Sequence, residues 1–178
     1  VSLDHLWAGW RSSYLSSFDQ GGAEGGAGAG ATGGEARPAC VFCAIVASGE
    51  PDEARYVLWT GEFTVAILNA YPYCPGHVMV MPIRHVADLP ELEPEEATEL
   101  SGGVLGAEAA VRAAYRPDGM NIGLNLGRAG GAGIPAHLHV HIVPRWIGDT
   151  NFMTSVAGAR VIPEALGDSW AKLRAVWK

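Results

Sequence analysis

HLHVHIVPRW, residues 137–146, alternates three imidazoles, His137, His139 and His141, with Leu138, Val140 and Ile142. Side chains in a strand point alternately to opposite faces. This spacing therefore predicts a strand over residues 138–143 whose apolar set enters a core while the imidazoles share the other face. An edge strand whose solvent side happens to be histidine has the same pattern. The chain holds six histidines, however, and half of them fall in this one pentapeptide, which points to chemistry. Neutral imidazole serves as a metal ligand, a general base or a nucleophile near neutral pH. A catalytic metal on the row calls for nearby carboxylates, as in hydrolytic zinc sites, and none lies between Gly119 and Gly148. What precedes the row is GLNLGRAGGAGIPA, residues 123–136. Glycine lets backbone amides approach an anion closely and adopt the left-handed conformations that form an anion nest. Backbone amides of Gly127, Gly131 and Gly133, with Asn125 and Arg128, are thus the candidate contacts to a phosphate-bearing ligand.

Three ordered motifs together carry a family resemblance. HLHVHIV matches the His-φ-His-φ-His-φ-φ signature of the histidine triad family. LNAYPYCPGHVMVMPIRHV, residues 68–86, resembles that family's first half, with an Asn near the ribose, a Pro-Gly-His turn and a strand ending in Pro-x-x-His. RWIGDTNFMT, residues 145–154, is similar to the segment that follows the triad in a bacterial subgroup containing diadenosine polyphosphate phosphorylases. The likeness spans roughly residues 40 to 154 of one domain. It implies an α+β fold, homodimerisation that joins two sheets into one, and cleavage of a dinucleoside polyphosphate or related nucleotide conjugate at its α-phosphate. Carried over by motif, His139 is the nucleophile, His141 and His77 line the phosphate pocket, and Asn69 takes the ribose hydroxyls. Ile67 and Leu68 stand either beside the base or in the core.

The cysteines carry a separate signal. Cys40 and Cys43 form a C-x-x-C pair, half of a tetrahedral zinc site. A redox dithiol and two small core residues are the rival readings. The resemblance implies a structural zinc completed by the histidine closing Pro-x-x-His and the first triad histidine, which fall on His85 and His137. Such an ion would tie a short segment to the sheet. Cys74 has no sequence partner and reads as packing. No organic cofactor is expected.

Length and charge agree with a small phosphorylated ligand. A chain of 178 residues with 48% hydrophobic content can bury one core. Its net charge of −7 argues against a general nucleic-acid binder, which needs an extended basic face. Arg84, Arg128 and Arg145 lie in or beside the motifs, where guanidinium could grip phosphate or act as ordinary surface charge. No apolar run approaches a membrane span, and no charged segment followed by an apolar stretch opens the chain. A cytoplasmic, membrane-free protein is expected.

Outward from the motifs, residues 1–19 read as an amphipathic helix with Leu3, Trp7, Trp10 and Tyr14 along one stripe. Residues 20–39 read as a Gly/Ala-rich flexible linker, and the length of that linker favours docking of the stripe on a partner subunit. Within it, residues 28–33 fit G-x-G-x-x-G, but no strand leads in and no helix leads out, so a dinucleotide reading is discarded. Residues 40–178 then form the triad domain. A hairpin turns at Thr60 and Gly61, a strand covers residues 76–82, and a long helix starts at Pro94 and ends before Pro117. Leu100, Val104, Val111 and Tyr115 are its expected buried face, and close approach to the sheet would explain Gly102, Gly103 and Gly106. Strands at 121–126 and 138–143 and a terminal helix at 164–177 complete an antiparallel five-stranded sheet with segregated helices, α+β.

One departure stands out. The family places a hydroxyl or amide side chain shortly before the triad, on the leaving phosphate, whereas this chain offers Gly133, Ile134, Pro135 and Ala136. Two alternatives to the enzyme follow: a nucleotide-binding module with weak turnover, and a metal-dependent hydrolase using the whole histidine row. The acceptor is also open, because the segment after the triad points to phosphorolysis while the zinc ligands resemble the hydrolase and phosphoramidase branches.

Overall fold

Two-residue alternation on the strands sorts side chains onto the two faces of one sheet. In the computed structural model, residues 40–149 and 164–178 are described. The expected aromatic helix, the linker and the end of RWIGDTNFMT lie outside them. A short helix α1 (Val41–Ala47) and a single turn α2 (Asp52–Arg55) lead into β1 (Val57–Thr60), β2 (Thr64–Leu68) and β3 (Val78–Pro82). The long helix α3 (Pro94–Tyr115), β4 (Gly119–Leu124), β5 (Val140–Arg145) and α4 (Leu166–Val176) follow. The strands pair in the order β1-β2-β3-β5-β4, each pair antiparallel. This is the α+β sheet with segregated helices that the sequence predicts.

One face, built from Leu58, Ala66, Leu68, Val78, Val80, Val140 and Ile142, packs under α3 and α4. The other gathers Val57, Val65, Ile67, Met79 and Met81 under Phe42, Ile45 and Val46 of α1. Every residue of β2 and β3 is buried, because both faces are covered. Val140 and Ile142 point toward α3, so alternation sends His139 and His141 to the α1 side, where His141 pairs across the ladder with Met79. That is the shared imidazole face expected from the spacing.

The long helix begins where its composition says. Glu96 reaches back to the Glu93 amide at 2.9 Å, closing the first turn, and Arg116 ends it in the left-handed conformation at φ 48°. Its contact with the sheet differs from expectation. Val104 and Tyr115 are only half-buried, while Gly103, Ala107 and Ala110 join Leu100 and Val111 at the interface. Small residues bring the helix close: a Cβ on Gly103 would lie 2.9 Å from Val80 Cγ1, whereas Gly102 faces open space and Gly106 lies under the Trp177 ring.

Strand limits also shift. β4 runs over Gly119–Leu124 rather than 121–126, and β5 begins at Val140 rather than at 138. The ladder ends at Leu124↔Val140, so the residues before Val140 find other partners, and Leu138 N–H donates to Val86 O at 2.7 Å. The terminal helix starts at Leu166. Glu164 instead accepts from Tyr115 Oη at 2.5 Å and from Ser169 Oγ at 2.6 Å, and also from Lys172, pinning α4 to the end of α3.

Candidate functional site

The histidine row lies where β5 emerges from the loop, and each ring is fixed by a different partner. His137 is 1% exposed and His139 5%. His137 Nε2 lies 2.8 Å from Pro82 O, and His139 Nδ1 lies 2.8 Å from His137 O. A carbonyl accepts only, so each of those nitrogens carries the proton and donates. The tautomers follow: His137 keeps its lone pair on Nδ1, His139 on Nε2. His139 Nε2 bonds no described residue and is not among the buried atoms left without a partner. The ring is therefore enclosed while its basic nitrogen stays open.

A second chain of bonds sets His141. Tyr73 N–H donates to His77 Nδ1 at 3.1 Å, so His77 carries its proton on Nε2 and donates it to His141 Nδ1 at 3.0 Å. His141 then presents Nε2–H beside His139, with the two ring centroids 4.9 Å apart. Burial lowers the affinity of all three triad rings for a second proton, His141 falling to about 4 through burial and then the adjacent His139. The row is neutral at pH 7.

The opposite end of the row has a different chemistry. Cys40, Cys43, His85 and His137 bring four ligand atoms within 4.8 Å of one another. His137 Nδ1 lies 3.4 Å from Cys40 Sγ and 3.6 Å from Cys43 Sγ, and His85 Nδ1 lies 3.3 Å from Cys43 Sγ. Tetrahedral thiolate–imidazole coordination separates sulfur and nitrogen donors by about 3.6 Å, so the four side chains fit a metal ion of that kind. The Pro82 carbonyl on the far nitrogen of His137 is the outer partner such a ligand needs. Burial, then Cys40, pushes the Cys43 thiol up, a trend a bound cation reverses. Among the described residues this is the group whose ligand atoms converge. The triad nitrogens do not, because His137 turns to the cysteines and His141 to His77, which counts against a catalytic metal on the row.

The remaining candidates are spread around this centre. Asn69 sits two residues before Tyr71 and accepts its amide on Oδ1 at 2.9 Å, with Nδ2 3.5 Å from His77 Nδ1. Its side chain thus shapes the turn that carries His77. Asn125 follows directly on the Leu124↔Val140 pair, where the ladder ends. Gly127 and Gly131 take φ +65° and +88°, conformations that favour glycine. Gly131 N–H closes on Arg128 O at 3.0 Å and Ala132 N–H on Gly127 O at 3.3 Å. Ala132 is buried and Ile134 packs on the Met79 cluster, anchoring the loop, while Gly133 is half-buried between them. Arg128 is exposed.

Two arginines turn elsewhere. Arg84 forks onto Glu96 at 2.6 and 2.8 Å and holds that carboxyl at about 2. Arg145 bonds Asp149 and Asn121. Both guanidinium groups are thus engaged by carboxylates. Cys74 donates to Pro144 O at 3.2 Å, a packing role. Sequence reading missed two walls of the site: Phe42, edge-on to His137 and His139, and Tyr73, whose ring lies 4.6 Å from His77 and 6.1 Å from His141. Phe42 is one of two apolar residues beside the cysteines at the start of α1, and nothing in the sequence sets it apart from Val41. Tyr73 gave no signal beyond its place in the turn.

The comparisons fall on this same site. The HIT domain matches residues 52–146. A Mycobacterium tuberculosis protein named AP-4-A phosphorylase is 44% identical over 126 residues, 71% of this chain, which spans 65% of that relative's length. An uncharacterized HIT-like protein of Saccharolobus solfataricus is 33% identical over 64% of this chain and 79% of its own. A zinc-bound histidine triad family protein from Mycobacterium smegmatis superimposes with a TM-score of 0.62 at 30% identity, covering 77% of this chain and 91% of that one. With the domain match running from α2 through the histidine row and relatives above 30% identity along most of their length, the chain belongs to the HIT family.

Proposed function

We propose that this protein is a nucleotidyl hydrolase or transferase that cleaves a dinucleoside polyphosphate at the α-phosphate, and that inorganic phosphate is the acceptor, as in a diadenosine polyphosphate phosphorylase. The observation that carries the reading is the fixed tautomer of His139, with Nδ1–H on a carbonyl and the lone pair on Nε2. That nitrogen attacks the α-phosphorus and an N–P bond forms. The bond from phosphorus to the bridging oxygen breaks, and the electron pair leaves with the departing nucleotide. His141 Nε2–H stands beside it to donate toward the phosphoryl oxygens or the leaving oxygen. Phosphate then attacks the phosphoramidate, the N–P bond breaks, and His139 is regenerated. Two displacements replace one difficult step.

Asn125 and the amides of Gly127 and Gly133, with Arg128, are assigned to the non-bridging oxygens, where preorganised donors stabilise developing charge. The Gly131 amide, expected among them, instead donates to Arg128 O and holds the turn of the loop. Asn69 is assigned to the ribose and His77 to the orientation of His141. A zinc ion on Cys40, Cys43, His85 and His137 supplies cross-linking of α1 to the sheet rather than chemistry. We assign dimerisation to the outer edge of β4, which among the described residues pairs on one side only and exposes Ile122. A strand added there from a second copy gives one continuous sheet. Among the described residues, no helix is long and apolar enough to cross a membrane.

Phosphate as acceptor is supported by the similarity to the relative named AP-4-A phosphorylase. The test is product analysis on diadenosine tetraphosphate. With phosphate present the expected products are ADP and ATP. AMP and ATP regardless of phosphate would make the protein a hydrolase, and tight binding without products would make it a binding module.

A further inference from the structure

Phe42 occupies a place that neither the metal cluster nor the phosphate chemistry uses. It stands between Cys40 and Cys43 on the first turn of α1 and is 5% exposed. Its ring meets His137 at 5.4 Å and 84°, and His139 at 5.2 Å and 63°. Edge-to-face contact of this kind is directional. Among the described residues, His139 has one hydrogen bond from its ring, Nδ1–H to the His137 carbonyl. A single bond fixes one nitrogen, and pivoting of the ring about it, which would swing Nε2 off the line of attack, is opposed by the two rings that meet it edge-on, Phe42 at 5.2 Å and His141 at 4.9 Å. Terminal torsions of histidine are broad wells and supply little resistance of their own. A second, non-bonded contact is what converts a held ring into an aimed one.

We propose that Phe42 is a positioning residue for His139: carried on the C-x-x-C segment, its ring blocks the pivot of the imidazole and keeps Nε2 directed at the phosphorus. The inference rests on the reading of His139 as nucleophile. It also gives the Cys40–Cys43 segment a second consequence, because fastening that segment to His85 and His137 fastens the Phe42 ring against the triad.

Phe42 also fills the cluster with Val57, Val65, Ile67, Met79 and Met81, so Phe42→Leu, which retains apolar bulk, is the primary variant and Phe42→Ala the second. Full-length protein is assayed with diadenosine tetraphosphate and phosphate, alongside metal content by mass spectrometry and melting temperature. For Phe42→Leu the expected result is wild-type metal content, KM within about twofold, and kcat lower by at least about tenfold, since displacement of a reacting group by a fraction of an ångström is costly. The ring 15N signals of His139 should broaden while those of His137 stay sharp. Phe42→Ala should lower kcat further at equal metal content. Wild-type kcat in Phe42→Leu with a lowered melting temperature overturns the proposal, since core filling alone then accounts for the residue. His139→Ala is run in parallel. If it still accumulates labelled enzyme, the nucleophile reading fails; if it loses label while Phe42→Leu keeps full kcat, only the positioning role fails.

Discussion

The two ends of the histidine row use one residue type for opposite ends. His137 gives its Nε2 proton to the Pro82 carbonyl and turns Nδ1 to the thiols of Cys40 and Cys43. Two residues on, His139 gives its Nδ1 proton to the His137 carbonyl and leaves Nε2 open. Neither difference comes from the imidazole itself. Each comes from which nitrogen meets a carbonyl, and the carbonyl is supplied by the backbone path through the end of β3 and the approach to β5. A histidine becomes a metal ligand or a nucleophile according to its acceptor.

The largest effect that sharpens this contrast is His139→Ala. Turnover should fall by a factor of about 10⁴ or more, as when a nucleophile is deleted, while nucleotide affinity, metal content and melting temperature stay near wild type. Cys43→Ser should act on the other end: metal is lost, the protein melts several degrees earlier, since ligation contributes folding energy, and the folded fraction still forms the covalent intermediate. If Cys43→Ser keeps its metal content, the cluster assignment breaks.

Acid should weaken both ends of the row together. His141 has its proton affinity lowered to about 4 from the ordinary value of 6.5, so folded and unfolded chains are both neutral at this ring above about 6.5. Between 6.5 and 4 the unfolded chain takes up a proton that the folded one refuses, and stability falls as pH is lowered through that window. His137 and His139 act in the same direction. The Glu96 carboxylate, held at about 2 by Arg84, adds stability that is lost only below about 4.5. Urea midpoints should therefore drop first between pH 6.5 and 5, and His141→Gln should flatten that part of the curve.

The smallest predicted effect lies on the opposite face of the sheet. Gly103→Ala should destabilise by about 1–3 kcal/mol, because its Cβ meets Val80 and Trp59. Gly102→Ala, in open space, should stabilise α3 by up to about 1 kcal/mol. Neither should alter turnover, which keeps the helix-packed face separate from the reactive one.

What could be read from the sequence was whatever periodicity or residue scarcity exposes. The alternation in HLHVHIV placed the imidazoles on one face, Pro94 and Pro117 bracketed α3, and the C-x-x-C pair and its two histidines converge in space as the family resemblance implied. The rest depended on tertiary partners. Nothing local told that β4 would stop at Leu124, leaving His137 and His139 outside the ladder to bond carbonyls instead. Arg84 and Arg145 carry the right charge for phosphate, but only the folded chain brings Glu96 and Asp149 within reach. Phe42 is an ordinary apolar residue until α1 lays it against two triad rings.

The most direct test of His139 as the nucleophile is covalent trapping. Enzyme mixed with diadenosine tetraphosphate labelled at the α-phosphates, without phosphate, is quenched in base and mapped by mass spectrometry. An acid-labile, base-stable adenylyl group on His139 is the predicted result. Label on another residue, or turnover that proceeds undiminished in His139→Ala, would contradict it.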